Sequence, residues 1–94
     1  MLVSQNPGDS FARYGLAMAY ASAGEHQQAV EQYRKLIELN PKYVAAYYHG
    51  GQAVEKAGKP DEAREIYRRG IVVCSEIGDQ HTRSELEVVL DLLG

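Results

Sequence analysis

The sequence predicts an all-α fold, an α-solenoid of two stacked helical hairpins closed by a fifth helix. Two observations predict it. The first is a repeat: residues 24–41, GEHQQAVEQYRKLIELNP, return 34 positions later as residues 58–75, GKPDEAREIYRRGIVVCS. Aligning 10–43 on 44–77 gives ten identities in 34 positions, among them Ala12/Ala46, Tyr14/Tyr48, Gly24/Gly58, Ala29/Ala63, Tyr33/Tyr67 and Ile37/Ile71. The second is spacing: Ala29, Tyr33 and Ile37 lie four apart, on one face of one helix. A fixed helical period of this length signals hairpins that each bury an apolar face on the next.

The elements follow in order. Residues 1–8 read as a short lead-in, with Pro7-Gly8 as turn chemistry and Asp9 or Ser10 as a helix cap. Met1 is expected to be a natural start. The first A helix spans about 10–23. Its small residues Ala12, Ala17 and Ala19 permit close approach, Leu16 and Tyr20 should face the neighbouring helix, and Gly24 ends it in the left-handed conformation. The first B helix spans about 26–40 and buries Ala29, Val30, Tyr33, Leu36 and Ile37. Glu31–Lys35 and Arg34–Glu38 stand at i,i+4 on its solvated side, each pair worth about a few tenths of a kcal/mol. Asn40-Pro41 stops it, because a residue before proline is pushed out of the helical region.

The second A helix spans about 43–57 and carries Gly50-Gly51. Two helical glycines cost roughly 1 kcal/mol each against alanine, so this stretch is either locally soft or a place of close backbone contact. The second B helix spans about 60–77. Pro60 suits the first turn, Asp61 and Glu62 suit its positive end, and Gly78 closes it. Its buried stripe is Ala63, Ile66, Tyr67, Gly70, Ile71 and Cys74. The last helix spans about 79–93, capped by Asp79. Leu86, Val89, Leu90 and Leu93 form its apolar face, widened by Val88 and Leu92, and it serves as the terminal element that covers the stack. It has no B partner of its own, so leftover apolar surface stays exposed or is covered by something else.

The chain resembles the tetratricopeptide repeat (TPR) family, in the small bacterial type with two repeats and a capping helix. The resemblance rests on Leu16-Ala17, Tyr20, Gly24, Ala29, Tyr33, Leu36 and Pro41 in the first copy. In the second it rests on Tyr47, Gly50-Gly51, Val54, Gly58, Ala63, Tyr67 and Gly70. Arg13 departs from a large apolar residue, Gly50 from leucine and Ser75 from proline. The resemblance implies a right-handed solenoid forming a single domain over 1–94: repeat 1 at about 10–43, repeat 2 at about 44–77, and a cap at 78–94. It also implies a concave face, lined by the A helices, that holds extended peptides.

The positions that would face such a peptide are Phe11, Tyr14, Met18 and Ala21 on the first A helix. On the second they are Ala45, Tyr48, Gln52 and Glu55, with His49 at the groove edge; the cap would add Thr82 and Arg83. Aromatic side chains with a polar tip dominate interface energetics, although the same tyrosines could simply fill a tight stack. The family's clamp for a C-terminal carboxylate falls here on Tyr14, Met18, His49, Asp79 and Arg83. Only the arginine matches, so a carboxylate-ended chaperone tail is not the expected ligand.

Charge and composition narrow the function further. The net charge is −3. Residues 1–77 carry nine acidic and nine basic groups, whereas 78–94 carry Asp79, Glu85, Glu87 and Asp91 against Arg83 alone. A neutral body with an acidic end is the wrong footprint for nucleic acid. No apolar run approaches the length that spans a bilayer, no secretory leader is visible, and the lone Cys74 fits a cytoplasmic setting. His26 is expected to be solvated, while His49 and His81 could approach one another. Three histidines without HxxxH or CxxC spacing do not make a metal site. No nucleophile–base pair or phosphate loop points to an enzyme or a cofactor. The expected function is therefore a protein-interaction module for a peptide or protein partner. The alternative is homodimerisation through exposed terminal helix surfaces.

Overall fold

The computed structural model describes residues 9–94; the expected lead-in and its Pro7-Gly8 turn lie outside them. Five helices fill the described residues, with no strand among them: α1 Ser10–Ser22, α2 His26–Leu39, α3 Ala45–Lys56, α4 Pro60–Ile77 and α5 Gln80–Leu93. Each packs on the next, and α3 also touches α5. This is the stacked, solenoid-like order that the repeat demands.

The hairpin turns close by one device used twice. Gly24 and Gly58 adopt φ 77° and 83°, a region where a side chain would clash. The left-handed turn lets Glu25 N donate to Tyr20 O at 2.9 Å and Lys59 N to Val54 O at 3.1 Å. These bonds satisfy carbonyls that the helix end would leave orphaned. At the other ends, Asp9 accepts from Ala12 N at 3.1 Å, and Pro60 occupies the first turn of α4 with Asp61 and Glu62 behind it.

The core is a single cluster running through all five helices. In α2 the buried residues are Ala29, Val30, Tyr33, Leu36 and Ile37, and in α4 Ala63, Ile66, Tyr67, Gly70 and Cys74. Tyr33 and Tyr67, 34 apart, are both buried, and each ring lies against a glycine of α3. A Cβ on Gly50 would stand 3.1 Å from Tyr33 Cβ, and one on Gly51 only 2.1 Å from Tyr67 Cε1. The Gly50-Gly51 pair is thus a site of close approach, and α3 runs through it unbroken. Gly70 does the same in reverse, since a Cβ there would meet Tyr47 Cβ at 2.6 Å and Leu86 Cδ1 at 2.9 Å. Tyr47 is held at its other end too: its hydroxyl donates to Pro41 O at 2.6 Å, and Arg69 lies 6.0 Å from its ring centroid.

Several details differ from the sequence reading. Helix α3 begins at Ala45 rather than near 43, because Tyr43, Ala46 and Tyr47 first donate to carbonyls three residues back, the tighter winding common at helix ends. Ala19 is exposed and only Ala17 of the α1 alanines is fully buried. Neither intrahelical ion pair of α2 forms among the described residues; Arg34 reaches across to Glu62 of α4 at 2.9 Å. Ile71 is partly rather than fully buried. Arg13, at the position equivalent to Tyr47, is buried, and its Nη1 donates to Gln32 Oε1 at 2.8 Å. Val88 and Leu92 do not widen the packed face of α5; they are 57% and 82% exposed.

Candidate functional site

Helices α1 and α3 bring an array of rings together. The Tyr14 ring lies 6.4 Å from that of Tyr33, 5.4 Å from Tyr43 and 5.7 Å from His49, and His49 lies 5.1 Å from Tyr48. Tilted and edge-on contacts of this kind are worth about 0.5–1.5 kcal/mol each beyond the area they bury. Burial, and then the neighbouring Tyr43, pushes the Tyr14 hydroxyl above its ordinary value. Tyr33 is pushed up to about 12, by burial first and Tyr14 second. Burial lowers His49, opposed by the charge of Glu85, so near neutral pH the imidazole is uncharged and offers a ring face and one lone pair.

Beside the rings opens a cavity of about 200 Å³, lined among others by Met18, His26, Tyr33, His49, Gln52 and Lys56. Its chemistry is mixed: a thioether and a phenol ring beside an amide, imidazoles and an ammonium group. Such a surface can hold an apolar side chain and hydrogen-bond the backbone that carries it.

The expected site residues divide. Met18, His49 and Gln52 line this cavity, and Tyr14 and Tyr48 flank it through His49. Phe11 stands 77% exposed. Glu55 is already engaged, its carboxylate accepting from the Tyr67 hydroxyl. Arg83 does not line the cavity; it pairs with Glu87 at 3.5 Å. Thr82 is committed to the cap of α5, where its N and Oγ1 donate to Asp79 at 3.0 and 2.9 Å. His81 lies 3.7 Å from Glu85 with most of its side chain in solvent.

The sequence reading missed His26, Tyr43 and Lys56. His26 is half-buried rather than solvated, and its Nδ1 is buried without a hydrogen-bond partner among the described residues. Its position one residue into α2, directly across the turn from Ser22, was the available signal. Tyr43 sits in the connection before α3, where helical periodicity says nothing about direction.

Among the described residues no group of three His, Cys, Asp or Glu side chains is gathered to hold a metal. Cys74 is buried, and burial followed by the charge of Asp79 pushes its thiol up, the opposite of what a nucleophilic thiolate needs. No described helix is long and apolar enough to cross a membrane.

A tetratricopeptide repeat family profile matches residues 2–42 and 14–76. A TPR repeat-containing protein of Pseudomonas aeruginosa is 28% identical over 89 residues, which are 95% of this chain and 85% of that protein. The photosystem I assembly protein Ycf3 of Synechococcus elongatus is 36% identical over 75 residues, 71% of this chain; the chain spans 43% of that protein's length. The solution structure of a tetratricopeptide repeat domain protein from Salinibacter ruber superposes with a TM-score of 0.87 at 34% identity, covering 94% of this chain and 89% of that one.

Proposed function

The chain belongs to the tetratricopeptide repeat family, and we propose that within it this chain is a non-enzymatic interaction module that binds an extended peptide segment between α1 and α3. The cavity beside the aromatic array carries this reading. It places Met18, His49 and Gln52 around one opening, with Tyr48 at its flank and the exposed Phe11 on the same helix as Met18. Phe11 and Met18 supply desolvatable anchors, and Gln52 and Lys56 supply hydrogen bonds to a peptide backbone. Glu55 and Arg83 play lesser parts, each being already paired. On this reading the chain acts as one domain over residues 1–94, in the cytoplasm, on a protein partner and not on nucleic acid. The cyanobacterial relative, named as an assembly protein, supports a role in bringing other polypeptides together.

Tyr14 is a poor residue for testing this, because its ring is packed on Tyr33 and Tyr43 and its loss would disturb the core. Tyr48→Ala with Gln52→Ala separates binding from packing better. A peptide selected on an array against the purified chain should lose roughly tenfold or more in affinity to this variant, with helicity by circular dichroism unchanged. Undiminished affinity would place the ligand elsewhere.

A further inference from the structure

The larger cleft lies away from that cavity and shares no lining residue with it. It has a volume of about 720 Å³ between α4 and α5, and Arg68, Ile71, Ser84, Glu87, Val88 and Asp91 line it. The repeat itself says what shape belongs there. Arg68 and Ile71 are the second-copy equivalents of Arg34 and Ile37. In the first copy α4 engages both: Arg34, half in solvent, donates to Glu62 at 2.9 Å, and Ile37 is covered to 4% exposure, with Ile66 beside it. In the second copy Arg68 takes part in no ion pair among the described residues, and Ile71 is only partly buried. The cleft is the seat that the next B helix of the stack would take.

The walls say what chemistry fits. Where α3 meets α4 with Gly51 and Glu55, four residues apart, α5 presents Glu87 and Asp91, also four apart and both lining the cleft. Glu87 is held by Arg83 at 3.5 Å, but both groups are about half in solvent, and such surface pairs are weak and exchangeable. Asp91 takes part in no ion pair among the described residues. Val88, 57% exposed, forms the apolar lip.

We propose that this seat receives an amphipathic helix from a partner polypeptide, with an acid for Arg68, an apolar stripe for Ile71 and Val88, and lysine or arginine opposite Glu87 and Asp91. Charge complementarity selects this occupant over a second copy. Two α5 helices laid together along this cleft would set Glu87 and Asp91 against the same two residues, with Arg83 alone to offset them on each.

The test uses two synthetic peptides with the sequence of residues 60–77, the chain's own B-type helix, both carrying Cys74→Ser. One also carries Tyr67→Lys, which places a cation where Tyr67 lies over Gly51 in α3. Titrated into the full chain and followed by amide chemical shifts, the lysine peptide should bind roughly tenfold more tightly than the tyrosine peptide. The shifts should fall on residues 68–71 and 84–91, and Glu87→Lys with Asp91→Lys in the chain should reverse the preference. Equal affinities, no binding of either peptide, or a preference that survives the double change would overturn the proposal. So would a dimer, seen by analytical ultracentrifugation, that Val88→Asp dissolves, because the seat would then belong to a second copy.

Discussion

At the residue scale, three glycines do the work that large side chains do elsewhere, by letting rings lie on backbone. Gly51 and Gly50 adjoin in sequence yet differ in tolerance. A methyl group at Gly51 would overlap the Tyr67 ring at 2.1 Å, and that ring cannot swing away because its hydroxyl is bonded to Glu55. Overpacking costs about 1–3 kcal/mol and helix propensity returns about 1 kcal/mol. Gly51→Ala should therefore lower stability, by up to about 2 kcal/mol, in urea unfolding. Gly50→Ala meets Tyr33 Cβ at 3.1 Å, which a shift of a few tenths of an ångström relieves, so it should stay within about 1 kcal/mol of the parent. Equal effects at the two sites would refute the close-approach account. The buried tyrosines also set an alkaline limit. Folding raises Tyr33 from 10.0 to about 12, and Tyr67 moves in the same direction through burial and then its bond to Glu55. A hydroxyl raised in the folded state contributes stability that is complete below pH 10 and lost as pH climbs through about 12. Melting temperature should fall across that window, and Tyr33→Phe should flatten the fall.

At the scale of the element, each helix owes its limits to a local cap and its direction to its neighbours. Asp79 shows the first point: two bonds from Thr82 hold it, and they depress its carboxyl, the backbone bond first. Asp79→Ala should speed amide exchange over residues 80–83 and leave α1 and α2 unchanged; uniform protection would show that packing alone holds the start of α5. Acidification should act in the same way, because a depressed carboxyl loses its stabilising effect as pH falls through its folded value. The Arg34–Glu62 pair shows the second point. Arg34 had an acid one turn along its own helix, yet it bonds an acid on α4, because stacking brings that carboxylate to 2.9 Å.

At the scale of the whole molecule, the stack is a chain of nearest-neighbour interfaces, with α3 touching α5 and meeting α1 through His49 and Tyr14 as steps beyond that order. Stability in such an array spreads from interface to interface. Leu86 is the deepest residue of the last interface, fully buried and set against Gly70. Leu86→Ala should cost about 2–5 kcal/mol, with amide exchange accelerated most in α4 and α5 and least in α1. A uniform rise throughout would mean the stack unfolds as one block. The same geometry separates two surfaces, the cavity between α1 and α3 and the cleft beyond α4, so that occupation of one leaves the other open.

Much of this was legible before any coordinates. The 34-residue period, the four-residue spacing of Ala29, Tyr33 and Ile37, and Gly24 and Gly58 at the turns determined two like hairpins and their buried faces, because periodicity and turn chemistry are local properties of the chain. Of the residues that line the cavity, Met18, His49 and Gln52 could be placed on it from their positions on the A helices. His26, Tyr43 and Lys56 were not legible, nor were the engagement of Glu55 by Tyr67 and the turning of Val88 and Leu92 toward solvent. Those depend on which helix lies across from which, at distances of a few ångströms between residues far apart in sequence. The chain alone states that a face is apolar; only the packed helices decide which rings share it and which part of it is left for a partner.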